Sequence, residues 1–168
     1  MARAGHKVLG IDPAPEYIEL AKHQAAVSGV ICKFQVGSIE DFPLGENFDC
    51  VIATDVLEHI KDDQAAADKL VGLARAGGKF ILTVPAMQSL FGFHDEELGH
   101  FRRYSASKIK KLVLKTGLIK IDQLRYFGFT LIPVCILFSK ILRRPYPVAS
   151  AGSNKSFSGR VLNILLAI

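Results

Sequence analysis

Short apolar runs alternate along this chain with longer segments in which apolar residues recur at helical spacing. Such runs are short enough to be buried strands, and parallel strands need long crossover connections that are usually helices. The alternation therefore predicts an α/β fold with a mostly parallel sheet covered by helices on both faces. The predicted strands are residues 8–11, 31–36, 48–53, 79–85 and 119–127.

Signals for helix starts and stops fall between these strands. Pro15 suits the first helical position, and Gly29 ends the helix that it begins. A second helix is predicted over residues 62–75. A third is capped by Ser105 and ends before Gly117.

The last part of the chain carries a further predicted helix that runs to residue 144. A linker rich in Pro, Ser and Gly follows at 145–159, and an apolar run follows at 161–168. We expect one domain. Its main body is residues 1–144, to which residues 145–168 add the linker and an apolar carboxyl-terminal helix.

Composition and charge exclude some classes of function. Apolar residues make up 49% of the 168 residues, which is enough to offset the ordering entropy of folding and argues against disorder. The net charge of +5 comes mainly from basic residues after Arg102, which form either a solvated face or a site for anionic partners. These residues lack the interleaved aromatic platform on which single strands stack, so we expect no nucleic-acid partner.

Cys32, Cys50 and Cys135 stand apart among apolar residues, with no CxxC pair. We interpret them as reduced core residues of a cytoplasmic protein. The amino-terminal residues include no long apolar stretch of the kind found in signal peptides. The most apolar segment, 127–138, contains Pro133 and is too short for a transmembrane helix, which needs roughly 20 residues to span a bilayer.

Asp12 directly follows the first predicted strand. A carboxylate at the carboxyl end of a buried strand in an α/β protein is well placed to accept hydrogen bonds from the hydroxyls of a nucleoside ribose. A glycine-rich turn roughly 20 residues upstream normally accompanies it. The residues before Asp12, MARAGHKVLGI, contain no such turn. The alternative role for Asp12 is to cap the helix that follows.

The chain resembles the middle of a class I S-adenosylmethionine-dependent methyltransferase in four successive segments: VLGIDPAPEYIELAK, GSIEDFPL, FDCVIATDVLEHI and ARAGGKFILTVPA. The resemblance covers residues 4–127, and the set of segments is specific although each one alone is weak. The later segment GFHDEELGHFRRYS is similar to a bacterial subgroup, of the type 11 and type 12 kind, that often has apolar carboxyl-terminal segments. The resemblance implies a Rossmann-like three-layer αβα fold and S-adenosylmethionine as the cofactor.

Two features of that family are missing from the sequence. The family opens with a strand and a glycine-rich loop, typically GxGxG, and closes with an antiparallel strand pair whose last strand is absent here. The chain thus resembles a methyltransferase core that is incomplete at both ends. In the family the first strand lies between the strands that correspond to 8–11 and 48–53. We therefore expect two unpaired strand edges, and a chain that is either marginally stable or completed by a second copy as a homo-oligomer.

The resemblance implies cofactor contacts for five residues. Asp12 would hold the ribose hydroxyls. Ser38 and the backbone N–H of Ile39 would bind the adenine, and Thr54 and Asp55 would line the sulfonium end. Ser38 stands where the family usually has Asp, and its hydroxyl can still accept one hydrogen bond.

Asp55, Glu58 and His59 have the i, i+3, i+4 spacing that places side chains on one helical face. Three such ligands suit a divalent cation, as in quinone-precursor methyltransferases of similar sequence that have Glu in place of this Asp. Glu58 and His59 also suit structural hydrogen bonding at the floor of the cleft. We favour this second interpretation and expect no metal.

A long polar loop, residues 86–104, follows the fourth predicted strand, on the side where this family receives its acceptor. Methyl transfer is an in-line displacement, so catalysis is mostly positioning, with proton removal where the nucleophile is a hydroxyl. The alternative is that the polar residues fasten the loop to the domain. The catalytic candidates are His100, the first choice of base, His94, the second choice, and Tyr104. The candidates for binding an anionic group of the acceptor are Arg102 and Arg103.

The apolar segment 127–138 is followed by Lys140, Arg143 and Arg144. It suits a membrane interface or the wall of a site for a lipid, isoprenoid or lipid-linked sugar, and it equally suits core packing beside a soluble metabolite. The leading function is S-adenosylmethionine-dependent O- or C-methylation of a small lipophilic acceptor, in the cytoplasm or at the inner face of its membrane. The alternative is a non-catalytic methyltransferase-like module that binds a partner or a membrane surface.

Overall fold

Five strands form one sheet in the computed structural model, which describes residues 1–45, 47–144 and 164–167. The strand order is β2-β1-β5-β3-β4. Two parallel pairs, β1 with β2 and β3 with β4, lie on either side of β5, which runs antiparallel to both of its neighbours. The strands are β1 (Val8–Asp12), β2 (Lys33–Val36), β3 (Phe48–Thr54), β4 (Ala74–Thr83) and β5 (Ile164–Ala167).

The helices largely follow the predicted pattern. Ser105 Oγ accepts the backbone N–H of Lys108 at 3.2 Å, which caps the helix after the polar loop as predicted. Among the described residues, four short 3-10 turns also occur, at Ala2–Ala4, Leu57–His59, Gln88–Leu90 and Phe129–Leu131. The helices are α1 (Pro15–Val27), α2 (Asp63–Gly72), α3 (Phe93–Glu97), α4 (Ala106–Lys115) and α5 (Ile132–Cys135), which continues into a π-helix at Ile136–Leu142.

The two parallel pairs define a point where the strand order reverses. From β1 the chain crosses through α1 to β2 on one side, and from β3 it crosses through α2 to β4 on the other. Ligands of open α/β sheets bind outside the carboxyl ends of the strands at such a point. Buried residues of β3, α2 and α4 share one apolar core, which includes Phe48, Val51, Leu70, Ile109 and Leu112.

Two predicted elements differ from the structure. The expected strand at 119–127 is wrong, because those residues adopt no regular structure. Strand β4 begins at Ala74, within the expected second helix, and a bulge separates the pairing of Phe48 with Ala74 from that of Cys50 with Lys79. A Cβ atom on Gly78 would lie 2.9 Å from the carbonyl oxygen of Arg75, so the backbone folds closely on itself there and requires glycine.

Strand β5 corrects two further expectations. Residues Ile164–Ala167 are a strand rather than part of a helix, and they pair with β1 and β3 at once. The expected unpaired edges of β1 and β3 therefore have a partner among the described residues. Both edges present backbone N–H and C=O groups that need partners when buried. The apolar run at 161–168 does not alternate with polar residues, which suits a strand that lies between two others. Among the described residues, we find no helix with the length and apolar character needed to cross a bilayer.

Candidate functional site

Asp12 is the last residue of β1, and its side chain lies at the carboxyl end of that strand, where the strand order reverses. The residue is 2% exposed. Its Oδ1 accepts the backbone N–H of Ala14 at 2.8 Å, which turns the chain toward α1. Its Oδ2 is buried and has no hydrogen-bond partner among the described residues. Such an acceptor is costly unless something else supplies a donor, so one oxygen serves the turn and the other suits a ligand hydroxyl.

The segment after β2 lies beside Asp12, because the backbone N–H of Gly37 donates to the carbonyl oxygen of Asp12 at 3.0 Å. Ile39 is buried. The hydroxyl of Ser38 donates to Asp41 Oδ2 at 2.8 Å and accepts the backbone N–H of Asp41 at 3.3 Å. Asp41 was not predicted as a site residue, although its three-residue spacing from Ser38 is a turn signal. It places an exposed carboxylate next to Ser38, the residue that stands where the resemblance expects an Asp.

Thr54 ends β3, and Asp55 follows it in the left-handed region with φ of 51°. This conformation is uncommon for residues other than glycine and is best tolerated by Asn and Asp. The backbone N–H of Asp55 donates to the carbonyl oxygen of Thr83 at 3.0 Å, so the ends of β3 and β4 are joined. Burial raises the pKa of Asp55, and the Thr83 hydroxyl and the charge of His100 partly oppose that rise.

The expected helical face through Asp55, Glu58 and His59 is not formed, because Leu57–His59 is a single 3-10 turn after the left-handed Asp55. Glu58 and His59 lie instead with His100, one potential ligand atom of each falling within 4.8 Å of the others. The rings of His59 and His100 meet edge to face at 4.6 Å. The predicted group was Asp55, Glu58 and His59. In the structure, the group that a cation or a shared proton would bridge contains His100 and not Asp55.

Glu58 is fully buried, and neither carboxylate oxygen has a hydrogen-bond partner among the described residues. Burial raises its pKa to about 8, and the nearby carboxylates of Asp55 and Asp95 add to that rise. Burial disfavours the charged form of Glu58, so the group of Glu58, His59 and His100 would hold either a shared proton or a cation that stabilises the carboxylate.

The polar loop is closed at its base and organised around one carboxylate. The backbone N–H of Met87 donates to the carbonyl oxygen of Tyr104 at 3.0 Å. The backbone N–H of Tyr104 in turn donates to the carbonyl oxygen of Pro85 at 2.8 Å. Asp95 is fully buried and accepts from Gly92 N–H at 3.0 Å and from Arg103 Nε at 2.7 Å, and it pairs with His100 Nδ1 at 3.0 Å. Burial alone would raise the pKa of Asp95, but these contacts outweigh burial and lower the pKa to about 2.

The other polar residues of the loop are held by the domain. The Tyr104 hydroxyl lies 3.0 Å from Asp63 Oδ2 and 3.2 Å from the carbonyl oxygen of Leu57, and burial raises its pKa. Arg102 forms an ion pair with Asp63 at 2.8 Å and donates to the carbonyl oxygen of Lys61. Together with the Arg103 to Asp95 bond, these contacts favour the fastening alternative for Tyr104, Arg102 and Arg103.

The two candidate bases also lie inside the loop. The backbone N–H of His94 donates to Ser139 Oγ at 3.3 Å, and burial lowers the pKa of the His94 ring. The side chain of His100 is 9% exposed and is oriented by Asp95. A carboxylate that holds one ring nitrogen fixes the orientation of an imidazole, which is how general bases are positioned, although here the ring is largely covered.

An apolar cavity of about 310 Å³ lies next to Asp55 and Thr83. This volume suits a small ring compound. Of the described residues that line it, Asp55 is the one carboxylate. Its walls come from the polar loop, from α4 and from the helix that begins at Ile132, and they include Met87, Leu90, Ile109, Leu131, Ile132 and Cys135.

Comparison with known proteins finds similarity to methyltransferases in the first half of the chain. Residues 1–82 match the family model described as a methyltransferase domain. The chain is 36% identical over 85 residues to the ubiquinone biosynthesis O-methyltransferase of Xanthomonas axonopodis pv. citri, which is 49% of this chain and 36% of that protein. Residues 1–82, just under half of the chain, are thus similar to S-adenosylmethionine-dependent methyltransferases.

Solved structures agree with the methyltransferase fold. The N-methyltransferase NodS of Bradyrhizobium japonicum, in complex with S-adenosyl-L-homocysteine, superposes with a TM-score of 0.53 at 18% identity over 64% of this chain and 52% of that one. The [4+2]-cyclase SpnF superposes with a TM-score of 0.59 at 17% identity, over 69% of this chain and 44% of that one. Because a cyclase shares this fold, the fold alone does not decide the reaction.

The cofactor of the methyltransferase family is S-adenosylmethionine. The matched residues 1–82 include Asp12, Ser38 and Asp55. The buried acceptor oxygen of Asp12 without a partner fits a ribose hydroxyl of that cofactor. The aligned part is about a third of the length of the curated methyltransferases that the chain matches.

Proposed function

We propose that this chain forms the nucleoside-binding part of an S-adenosylmethionine-dependent methyltransferase that acts on a hydroxyl or carbon of a small, lipophilic acceptor. The observation that carries the proposal is the buried, unpartnered Oδ2 of Asp12 at the carboxyl end of β1. The family match to residues 1–82 supports it, since Asp12 and the crossover to β2 lie within that match.

S-adenosylmethionine supplies a methyl group on a positively charged sulfur and leaves as a neutral thioether. Asp12 accepts a ribose hydroxyl with Oδ2 while Oδ1 keeps the turn to α1. Ser38 and Asp41 supply polar groups for the adenine amine, with the backbone N–H of Ile39 beside them. Thr54 and Asp55, at the end of β3, lie on the opposite side of the point where the strand order reverses.

The apolar cavity beside Asp55 supports a lipophilic acceptor. A largely apolar lining excludes water and orients a ring by contact, which is the main contribution a protein makes to an in-line displacement. Asp55, with its raised pKa, is available at the cavity for the proton of an acceptor hydroxyl, and His100 lies near enough for its charge to affect Asp55. The ubiquinone biosynthesis relatives are named O-methyltransferases, which supports a hydroxyl as the acceptor group.

Titration calorimetry with adenosine, 2′-deoxyadenosine, S-adenosylmethionine and S-adenosylhomocysteine tests the proposal. We expect adenosine to bind more tightly than 2′-deoxyadenosine, by about tenfold for one hydrogen bond to a charged acceptor. Asp12→Asn removes that difference because the amide is neutral. Glu16→Gln, an exposed carboxylate in the first turn of α1, is the matched control and keeps the difference.

Two results would contradict the proposal. One is equal affinity of the folded wild-type chain and Asp12→Asn for every nucleoside. The other is failure of the folded wild-type chain to bind any of them at millimolar concentration.

A further inference from the structure

The charges of this chain are segregated along its length. Residues 123–168 contain six of the 21 basic residues and none of the 16 acidic residues. The remaining residues, 1–122, are therefore close to neutral overall. A segment that carries only positive charges and coincides with the most apolar part of the sequence needs an explanation other than solvation, because the apolar residues gain nothing from exposure to water.

One side of the helix from Ile132 to Leu142 is fixed against the domain. Ser139 is 2% exposed, and a Cβ atom placed on Gly92 would lie only 2.5 Å from its Oγ. The backbone N–H of His94 donates to that same oxygen. Ile132 and Cys135 of this side line the apolar cavity. The orientation of the helix is therefore set by close packing on the polar loop.

The opposite side of the helix is an apolar stripe exposed to solvent. Val134, Leu137 and Ile141 recur at intervals of three or four residues and are 39%, 43% and 67% exposed. Such spacing brings them onto one face. Contiguous exposed aliphatic side chains of this kind mark an interaction site rather than ordinary surface.

Cations flank this stripe. Lys140, Arg143 and Arg144 are all exposed at its carboxyl end. None of the salt bridges among the described residues involves them. We call these three aliphatic residues and these three cations the basic apolar face.

We propose that the basic apolar face binds the surface of membranes that contain anionic phospholipids. Aliphatic side chains beside cations, on a helix too short to cross a bilayer, are typical of elements that lie in the interface between headgroups and acyl chains. The charge favours anionic lipid over a second copy of this chain, because a copy would bring the same positive charges to the contact. The basic apolar face stands independently of nucleoside binding.

One consequence rests on the proposed function. The helix that carries the basic apolar face also walls the cavity, so a chain bound to a membrane holds the cavity within one helix thickness of the lipid. A lipophilic acceptor dissolved in that membrane would then reach the cavity without crossing bulk water.

Vesicle flotation tests membrane binding directly. The chain is mixed with vesicles of phosphatidylcholine alone, or with about one third phosphatidylglycerol, at about 0.05 M and 0.5 M salt. We expect the chain to float with the anionic vesicles at low salt, to float less at high salt, and to stay at the bottom with the neutral vesicles. Nucleoside affinity is measured on the same preparations, so loss of either activity is seen separately.

Charge-reversed and apolar-to-acidic variants locate the surface. Arg143→Glu with Arg144→Glu should weaken binding to anionic vesicles at least about tenfold, and Ile141→Asp should weaken it similarly. The matched controls are Lys110→Glu with Lys111→Glu, two exposed cations of α4, and Val27→Asp, an exposed aliphatic residue that is 72% exposed. The controls should bind as the wild type does.

Three outcomes overturn the inference. Equal binding to neutral and anionic vesicles, or equal losses in the controls, shows that the surface is not the one proposed. Absence of flotation by a folded chain does the same. A dimer in sedimentation equilibrium that Ile141→Asp dissociates, without vesicle binding by the wild type, assigns the face to contact between copies instead.

Discussion

Arg103 Nε donates a 2.7 Å hydrogen bond to Asp95 Oδ1, and the two side chains are only 9% and 0% exposed. The same oxygen also pairs with His100. The bond connects the two halves of the polar loop, because Asp95 lies in α3 and Arg103 adjoins the base where the loop closes. A buried ion pair of this kind is costly to break, since removing one partner leaves the other charge uncompensated.

Replacing this carboxylate should therefore destabilise the chain strongly. We expect Asp95→Asn to lower the free energy of unfolding by about 3 kcal/mol or more. Asp49→Asn is the matched control, because Asp49 pairs with Arg75 on the exposed surface, and should cost less than about 1 kcal/mol. Urea unfolding of the three proteins measures both values. Equal losses would show that Asp95 is not the organising residue of the loop.

Acid should weaken the same interaction in a defined pH range. The pKa of Asp95 is about 2 in the folded chain, below its ordinary value of 3.8, so the folded state binds the proton less well than the unfolded state. The stabilisation is complete above pH 4 and is lost as pH falls through 2, by about 2 kcal/mol in total. Asp95→Asn should lose less stability than the wild type between pH 4 and pH 2. Urea unfolding at both pH values measures these losses. Equal losses of unfolding free energy in the wild type and in Asp95→Asn would contradict a lowered pKa at Asp95.

Close packing of Gly92 on Ser139 predicts a steric effect. Gly92→Ala brings a methyl group within 2.5 Å of Ser139 Oγ and 3.1 Å of its carbonyl oxygen, so we expect destabilisation of about 1 to 3 kcal/mol. Gly72→Ala is the control, because a Cβ atom there meets nothing within 4 Å at the end of α2, and it should be neutral or stabilising. Adding Ser139→Ala should recover part of the loss in Gly92→Ala. No recovery in thermal unfolding would mean that the two residues do not meet.

The turn after β2 predicts an order of effects on nucleoside binding. The Ser38 hydroxyl is already engaged with Asp41, so Ser38→Ala should weaken adenosine binding by less than about threefold. Asp41→Ala should weaken it by about tenfold, since a carboxylate is the stronger acceptor for an amine. Calorimetry with adenosine and with purine riboside, which lacks the amine, separates this contact from ribose binding. A larger loss in Ser38→Ala would restore Ser38 as the principal adenine contact.

Filling the apolar cavity should block the acceptor without disturbing the nucleoside. Ala106 lines the cavity at the start of α4, and Ala106→Trp should lower affinity for a small apolar phenol at least about tenfold by occupying its volume. Ala76→Trp, at an exposed residue of β4, is the matched control. Fluorescence titration with 1-naphthol measures the effect. Unchanged affinity in Ala106→Trp would place the acceptor elsewhere.

Much of the fold was predictable because its signals are local. Pro15 at the start of α1 and Ser105 before α4 act through backbone geometry and one nearby hydrogen bond, and both elements were predicted correctly. The predicted strand at 119–127 failed because its apolar residues find no strand to pair with among the described residues. Strand identity depends on a partner, which periodicity does not reveal.

The candidate site was predictable in part for the same reason. Asp12 ends β1 and Asp55 directly follows β3, so their place at one edge of the sheet follows from chain order. The group of Glu58, His59 and His100 joins residues some forty positions apart, and only the fold of the polar loop brings them together. Asp41 escaped prediction because its role depends on the side-chain contact with Ser38.

The sequence by itself determined the alternation of strands and helices, the similarity of residues 1–82 to a methyltransferase domain, and the absence of acidic residues from 123–168. These properties depend on residue type and order alone. Tertiary structure decided that Asp95 organises the polar loop, that β5 lies between β1 and β3, and that Ser139 faces inward while Ile141 faces outward. Each of these depends on contacts between distant segments, where burial makes an unpaired charge or backbone group costly and so selects one arrangement.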